Sequence, residues 1–533
     1  MRPLTLPVLA ALAASCAATH PTLPPVTSEA LQALISLDEL TSGAKQLQAI
    51  ADAAGGNRVF GSKGHNDTVY FLYDTLLATG YYDVYLQDFV ELFSGGTSSL
   101  TVNGETMPAS LFTYDSSGSA SANLVAVSNL GCEVADFPPE SANAVVLISR
   151  GECPFAQKAA NAAAAGALGA LIYNNVPGAI SGGTLSEPGD YAPALSISQE
   201  DGLALLAELD AGAPVAVELE VNAVLENRTT FNVIAETKGG DHDNVIALGA
   251  HTDSVEVGPG INDNGSGTIG ILNVAIALSN FAITNAVRFG FWSAEEFGLK
   301  GSTHYVSTLN QTAGETAKVR AYLNFDMIAS PNYAYMIYDG DGSSFNLTGP
   351  PGSAEIEADF EAFFTSAGQN FTSTAFDGRS DYGPFLENNI PAGGLFTGAE
   401  ETKTPEEVAA FGGTADVAYD ANYHQPGDNI DNLNLDAFLL NTKAIANSIA
   451  LYATDLSKIP PVSATGPTKR VRDVYSRDAV RTTPRQKRAS GLKPHARTRR
   501  GPASTIPAGS CHVSTKEQNK EGTGAGTGLP ATV

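Results

Sequence analysis

Residues 244–267 read NVIALGAHTDSVEVGPGINDNGSG and decide the fold class. The first seven form an apolar run of strand length, which leads into His251 and Asp253. A Gly-rich polar turn around Asp263 follows, and residues 266–281 then carry the apolar periodicity of a helix. A strand, a polar turn and a helix in this order are typical of an α/β sheet, in which sites form beyond the carboxyl ends of the strands.

The alternation of strands and helices continues from residue 232 to residue 455. Further elements are predicted as strands at 286–292, 319–325 and 394–397, and as helices at 354–366 and 434–451. We therefore predict an α/β fold with a mixed, mostly parallel sheet and helices on both faces.

Changes in composition divide the chain of 533 residues into five segments. Residues 1–18 have a single cation and an apolar run, which is typical of a secretory signal peptide. Residues 98–223 contain short strands, Gly- and Pro-rich turns and an alanine-rich helix, and are predicted to form a separate small α/β module. Residues 28–97 and 224–457 flank this module and form the main domain. Residues 458–533 are an Arg- and Pro-rich tail that is predicted to be disordered.

Local patterns predict the elements of the first two folded segments. Within residues 28–79, helical periodicity with Gly-rich breaks predicts two helices joined by a turn. Elements of the small module are predicted as strands at 123–128, 144–149, 169–173 and 215–221, and as a helix at 155–165.

The chain carries a formal net charge of −27, although its tail is basic. An acidic folded part repels phosphate backbones and anionic lipid, so nucleic-acid and membrane partners are not expected. No segment after the signal peptide has the run of about 20 apolar residues that a membrane-spanning helix needs. We expect a secreted monomer, with a vacuolar location as the alternative.

Cysteines and glycosylation sequons agree with secretion. Removal of the signal peptide leaves three cysteines, and Cys511 lies in the tail. Cys132 and Cys153 are therefore predicted to form a disulfide, because they are the only cysteines of the part that is expected to fold. Six Asn-x-Ser/Thr sequons suit a secreted glycoprotein, although Asn264 lies in the Gly-rich turn and is expected to be enclosed.

Polar clusters lie at the predicted strand ends and at one helix start, and Tyr423 and His424 follow further along the chain. Together they offer two imidazoles and several carboxylates, a ligand set that suits zinc. Two zinc ions need one bridging carboxylate, and we assign Asp263 as the bridge. His251 and Asp326 then complete one site. Glu296 and His424 complete the other.

Glu295 and Glu296 are adjacent, so their side chains would face opposite ways on a regular strand. Both can serve one site only in an irregular segment beyond Trp292. One carboxylate then binds metal, while its neighbour takes the proton from the attacking water. Asp253, two residues after His251, is predicted to accept the second imidazole N–H and to fix the tautomer.

The chain resembles the co-catalytic zinc aminopeptidases, a family typified by aminopeptidase Y and secreted fungal leucine aminopeptidases, in GAHTDSV, GPGINDNGSG, WSAEEFGLKGS, NFDM, GRSDYGPF and YHQPGDN. The resemblance implies two Zn²⁺ ions on the five ligands above and Glu295 as the catalytic base. It also implies that Arg379 and Tyr423 lie near the substrate or the transition-state oxyanion. Their alternative roles are a surface ion pair of Arg379 with Asp381 and a packed Tyr423 ring.

The segments NLVAVSNLGC and VVLISRGECPFAQKAANAAAAGALGALIYNN resemble a protease-associated domain inserted in the peptidase. The combined resemblance implies a secreted zinc aminopeptidase that releases apolar N-terminal residues such as Leu from peptides. A carboxypeptidase of the same fold is the alternative enzyme, for which Arg379 is the only obvious cation at the site. A non-catalytic receptor-like protein and a glutaminyl cyclase with one zinc are further alternatives.

Overall fold

A computed structural model describes residues 23–180 and 183–462, and the predicted signal peptide and the tail beyond residue 462 lie outside them. The strands within the described residues are β1 Tyr82–Val102, β2 Glu105–Thr106, β3 Ser110–Leu111, β4 Gly118–Ala126, β5 Val145–Ser149, β6 Gly169–Tyr173, β7 Ala194–Ile197, β8 Ala216–Thr237, β9 Asp241–His251, β10 Asn285–Trp292, β11 Val319–Phe325, β12 Met336–Tyr338, β13 Thr372–Thr374 and β14 Ala392–Phe396.

The α-helices within the same residues are α1 Ser28–Gln32, α2 Leu37–Asp52, α3 Lys63–Ala78, α4 Phe155–Ala164, α5 Gln199–Asp210, α6 Gly267–Leu278, α7 Lys300–Gln311, α8 Glu315–Lys318, α9 Ser353–Ser366, α10 Tyr382–Glu387, α11 Pro405–Phe411 and α12 Leu435–Tyr452. None of these helices is both long and apolar enough to cross a membrane.

The sheet of the main domain is mixed and mostly parallel. Its strand order is β13-β12-β14-β11-β9-β10-β8. The four central strands β14, β11, β9 and β10 are parallel, whereas β12 and β8 run antiparallel to their neighbours β14 and β10. The predicted fold class is therefore confirmed.

Alternate residues of the central strands face two different cores. Ile246 and Leu248 of β9 pack into the larger core, with α6, α9 and α12, whereas Ala247 packs into a smaller aromatic core. Because successive side chains of a strand point to opposite faces, this alternation places helices on both sides of the sheet.

A long antiparallel ribbon joins the small module to the main domain. Strands β1 and β8 pair without interruption from Tyr82 opposite Thr237 to Val102 opposite Val217. Strand β4 pairs with the far half of β8, and β5, β6 and β7 continue the sheet of the module in parallel. The domain boundaries predicted at 97/98 and 223/224 fall within this ribbon.

The first segment differs from the prediction of two helices. The structure has three, because Ser36 and Ser62 each begin a new helix. Their side chains accept hydrogen bonds from the backbone N–H groups of Glu39 and His65, as N-cap residues do. The module also contains β7 and α5, which the sequence patterns did not predict.

Helix α6 occupies the centre of the main domain. Nearly all of its residues are buried, so it has no polar face. A Cβ atom on Gly267, its first residue, would lie 2.1 Å from the carbonyl oxygen of Phe325, so only glycine permits this close approach. The helix start is thereby held against the end of β11, next to the polar clusters.

Candidate metal centre

Five predicted ligands lie together as two groups that share one carboxylate. Nε2 of His251 lies 3.2 Å from Oδ1 of Asp263 and 3.4 Å from Oδ1 of Asp326. Nε2 of His424 lies 3.2 Å from Oδ2 of Asp263 and 3.1 Å from Oε2 of Glu296. The two oxygens of Asp263 therefore face different groups, as a bridging carboxylate requires.

The sheet topology explains how distant parts of the chain meet here. His251 ends β9, Asp326 follows β11, and both strands are parallel, so their carboxyl ends lie at one edge. Asp263 lies in the turn that connects β9 to α6. Since ligand sites of α/β sheets form at this edge, the strand ends bring these side chains together.

Glu295 and Glu296 both face the site, from the irregular segment beyond Trp292. Oε2 of Glu295 lies 3.9 Å from Nε2 of His251, while Glu296 contacts His424. Ala294, just before them, has a left-handed φ of 56°. Such a conformation is costly for a residue with a side chain, and it turns the chain out of the strand geometry.

Asp253 contacts the site in a different way from the prediction. The hydrogen-bond partner of His251 Nδ1 is the backbone carbonyl oxygen of Asp253 at 3.2 Å, whereas its carboxylate oxygen is 3.7 Å away. That carboxylate accepts the backbone N–H groups of Glu295 and Glu296, at 3.1 and 3.4 Å. Asp253 therefore holds the backbone of the two glutamates as well as the imidazole.

Arg379 and Tyr423 lie at the rim of the same site. The guanidinium of Arg379 pairs with Glu400 at 3.0 Å and Glu401 at 3.3 Å, so the alternative of an ion pair with Asp381 is wrong. Arg379 also donates a hydrogen bond to the Tyr423 hydroxyl at 3.2 Å. The Tyr423 ring stacks on the imidazole of His424, with ring centroids 3.8 Å apart.

The spacing of the ligand atoms fits a metal ion. Zinc at about 2.0–2.2 Å from each of four tetrahedral ligands places neighbouring ligand atoms about 3.3–3.6 Å apart. The separations of 3.1 to 3.4 Å within the two groups agree with that geometry. Oδ1 of Asp326 and Oε1 of Glu296 are buried without a hydrogen-bond partner, which is costly unless a cation binds them.

Comparison with known proteins agrees with this geometry. Residues 232–449 match the model of "Peptidase family M28", and residues 120–205 match that of the "PA domain". The chain is 55% identical over 451 residues to "Probable leucine aminopeptidase 2" of Aspergillus fumigatus, covering 84% of this chain and 89% of that protein. It is 53% identical to "Leucine aminopeptidase 2" of Trichophyton rubrum, covering 84% and 90%.

The chain belongs to peptidase family M28. It is a hydrolase with the M28 aminopeptidase fold and an inserted PA domain. Among solved structures, it is similar to an aminopeptidase from Aneurinibacillus sp. strain AM-1, with a TM-score of 0.62 and 26% identity over 82% of this chain and 99% of that one. A zinc aminopeptidase from Bacillus subtilis has a TM-score of 0.60 and 26% identity, covering 78% and 94%.

The PA domain of this M28 chain has the predicted disulfide. Cys132 and Cys153 are joined in the structure.

Asn264, one of the six sequons, is fully buried, and its side chain bonds the backbone of Gly267 and Phe325. This asparagine is therefore enclosed, as its place in the Gly-rich turn predicts.

Arg58 is a buried residue of the M28 site that the sequence reasoning missed. Its guanidinium donates to the carbonyl oxygens of Thr252, of Pro259 at 2.9 Å and of Gly260 at 2.6 Å. These carbonyls belong to the two segments that lead from His251 and into Asp263. Arg58 thus holds both segments in place from outside the part that matches the family model. In the sequence, the only signal for Arg58 is its position directly after the Gly-rich break at residues 55–57.

Asp428 is a second missed residue, although it stands in the quoted motif YHQPGDN. Its carboxylate accepts the backbone N–H groups of Asn262 at 2.8 Å and of Asp263 at 2.9 Å. Burial, followed by the negative charge of Asp420, raises the pKa of Asp428 to about 8. Arg58 lies close enough to attract this carboxylate, so the two missed residues together fix Asp263.

Charge at the site is strongly negative apart from the imidazoles. Burial opposes protonation of His251, but attraction to Asp326 and Glu295 outweighs it and raises the pKa of His251 well above its ordinary value. Burial also opposes charging of His424, and Glu296 raises the pKa of that imidazole in the same way. Such a surplus of carboxylates favours a cationic occupant.

A pocket opens beside the ligands. Its lining combines carboxylates and other polar groups with apolar or aromatic side chains, which are those of Met327, Tyr338, Ala375, Tyr382, Phe396, Ala399 and Tyr423. A cavity with such a mixed lining suits an apolar side chain next to charged groups that bind an amine or a metal.

Proposed function

We propose that this chain is a secreted, zinc-dependent aminopeptidase that releases apolar N-terminal residues, Leu among them, from peptides. The observation that carries the proposal is the shared Asp263, whose two oxygens face two ligand groups. The names of similar proteins support the proposal: two relatives are named leucine aminopeptidases, and a structural neighbour is named a zinc aminopeptidase.

The proposed ligands are His251, Asp263 and Asp326 for one zinc ion, and Asp263, Glu296 and His424 for the other. Bound zinc would supply Lewis-acid polarisation of the scissile carbonyl and a lowered pKa for water. Three carboxylates offset most of the charge of two divalent ions, so the loaded site would be close to neutral.

Glu295 is proposed as the general base, because its carboxylate lies at the site beside the ligands. It would take a proton from the attacking water and return it to the leaving amine. The Tyr423 hydroxyl, at the rim of the same site, would donate a hydrogen bond to the carbonyl oxygen as negative charge develops on it.

Recognition of the N-terminus follows from the charge of the pocket. A free α-ammonium group would be attracted by Glu295, Glu296 and Asp326, while the apolar and aromatic residues of the lining would receive the first side chain. A carboxypeptidase would instead need a cation for the terminal carboxylate. Arg379 is already paired with Glu400 and Glu401, which weighs against that alternative.

The test compares Leu-anilide with acetyl-Leu-anilide on zinc-loaded protein. Acetylation removes the positive charge and adds bulk at the carboxylates, so we expect at least about a hundredfold lower kcat/KM, or about 2.7 kcal/mol. Protein stripped with a chelator is the control and should be inactive until Zn²⁺ is restored. Equal rates for the two substrates, or cleavage only of substrates with a free carboxyl terminus, would refute the proposal.

A further inference from the structure

A second group of carboxylates lies outside the candidate metal centre. Asp339 and Asp341 follow β12 directly, and Glu357 lies in the first turns of α9. Each offers one oxygen, and the three oxygens lie within 4.8 Å of one another. Because β12 runs antiparallel to β14, it leads away from the edge where β9 and β11 present His251 and Asp326.

Asp339 and Glu357 are the buried members of this group, and one carboxylate oxygen of each holds the loop after β12. Oε2 of Glu357 accepts the backbone N–H groups of Gly340 and Asp341, both at 3.0 Å. Oδ2 of Asp339 accepts those of Ser344 at 3.0 Å and Phe345 at 2.7 Å. These bonds fix the orientation of both carboxylates.

The second oxygen of each of these two carboxylates accepts no such hydrogen bond. Oδ1 of Asp339 and Oε1 of Glu357 are buried without a hydrogen-bond partner, in side chains that are 1% and 3% exposed. Within residues 23–180 and 183–462, no ion pair includes Asp339 or Glu357. A buried carboxylate oxygen without a donor or a cation is expensive, so these atoms point to a ligand.

The charge of the group supports the same conclusion. Burial, followed by repulsion from the charges of Asp341 and Asp339, raises the pKa of Glu357 to about 7. Burial also raises the pKa of Asp339. Carboxylates in this situation either share protons or bind a cation.

We propose that Asp339, Asp341 and Glu357 form a binding site for a calcium ion. All three donors are hard oxygens, without the imidazole or thiolate that zinc or copper would favour. Calcium takes six to eight oxygens in flexible geometry, whereas Mg²⁺ demands a regular octahedron and keeps most of its water. The site is not an EF-hand loop, because Glu357 comes 18 residues after Asp339 and so lies beyond the reach of a 12-residue loop.

The ion would connect the loop after β12 to α9, and the expected consequence is stability. The chain loaded with two equivalents of zinc is titrated with CaCl₂ and, separately, with MgCl₂ by calorimetry. We expect one calcium ion per chain, weaker binding of Mg²⁺, and a rise in Tm of at least about 2 °C at saturating Ca²⁺.

Two variants and a matched control locate the ion. Glu357→Gln keeps an acceptor for the loop N–H groups but removes the charge, and Asp341→Asn removes a charge from the more exposed ligand. Each should weaken calcium binding at least about tenfold, while hydrolysis of Leu-anilide changes little. Glu355→Gln, on the same helix but outside the group, should bind calcium like the original chain.

Several outcomes would overturn the proposal. One is no calcium binding by the original chain at about 10 mM free Ca²⁺, above the weakest range of extracellular modules. Another is unchanged binding by both variants. Another outcome is that the original chain binds a third zinc ion but no calcium, and that Glu357→Gln loses this third zinc ion. The group would then be a cation site, but for zinc and not for calcium. Greater stability of Glu357→Gln together with no binding would show shared protons instead.

Discussion

At the scale of single residues, adjacent carboxylates have different environments. Glu296 contacts His424, whereas Glu295 lies 3.9 Å from His251, and the Asp253 carboxylate holds both backbones. The proposed ligand Glu296 and the proposed base Glu295 are held separately, because their backbone N–H groups bond different oxygens of the Asp253 carboxylate.

Glu295→Gln tests this division of roles. The amide cannot accept the proton, so we expect kcat to fall at least about a hundredfold, since general base catalysis contributes roughly 10²–10⁴. Metal analysis of the same sample should still find both zinc ions. Glu256→Gln, an exposed change in the connection between β9 and α6, serves as the control. Loss of metal together with activity would assign Glu295 as a ligand.

Arg58→Lys tests the residue that holds the ligand segments. Lysine keeps the charge but lacks the planar guanidinium with which Arg58 bonds three carbonyl groups. The segments beside His251 and Asp263 should therefore loosen. We expect zinc affinity about 10–100-fold lower, as is typical when groups that orient metal ligands are changed. Competition with a chromogenic chelator measures it.

The control for that variant is Arg320→Lys. Arg320 also donates to a carbonyl group, that of Ile459, but it lies away from the candidate ligands. Circular dichroism shows whether both variants are folded. If Arg58→Lys is folded and binds zinc like the original chain, Arg58 has only a general structural role.

At the scale of elements, the central strands and their polar ends could be predicted from the sequence. The apolar run of β9 ends in His251, that of β10 is followed by Ser293, and that of β11 is followed by Asp326. Local patterns are enough to recognise such units. The strand ends supplied His251, Glu296 and Asp326 as candidate ligands, whereas Asp263 came from the start of a helix and His424 from a polar cluster further along the chain.

Other features depend on contacts between distant parts of the chain. The ribbon β1–β8 alternates buried and exposed residues irregularly, so its length is set by pairing and not by a local pattern. Arg58 is separated by 194 residues from Thr252, which it contacts. Neither periodicity nor spacing carries this information.

Asp115, which lies just before the PA domain and bonds Ala194 within it, is expected to make the stability of that domain depend on pH. Its carboxylate accepts the backbone N–H groups of Ser116 and Ala194, but burial outweighs these bonds and raises the pKa of Asp115 to about 7. The folded state therefore holds a proton that the unfolded chain has already released above about pH 4. Stability is lost as the pH rises from about 4 to 7.

Asp115→Asn should remove this loss, because the amide keeps an acceptor and does not ionise. For the original chain, the free energy of unfolding should fall by roughly 2–3 kcal/mol more between pH 5 and pH 8 than for the variant. Urea unfolding monitored on the PA domain measures both. Parallel pH profiles of the two proteins would contradict the assignment.

At the scale of the whole molecule, we expect charge to affect which peptides reach the pocket. The chain has a net charge of −27, and the pocket itself is lined by carboxylates. A field of one sign raises the local concentration of oppositely charged substrates, and salt screens it over a Debye length of about 10 Å at 0.1 M. Peptides of opposite charge should therefore respond to salt in opposite ways.

Two peptides with the same N-terminal Leu, followed by Lys-Lys or by Glu-Glu, test this expectation. Attraction of the Lys peptide is screened by salt, so its kcat/KM should fall a few-fold between about 10 mM and 0.5 M NaCl. Repulsion of the Glu peptide is screened as well, so its kcat/KM should rise. Because the field acts on the encounter and not on bond cleavage, kcat should change little for either peptide. Leu-anilide, which has only the α-ammonium charge, is the reference. If both peptides follow the same salt curve, salt acts on the catalytic groups, and the acidic surface does not steer the substrate.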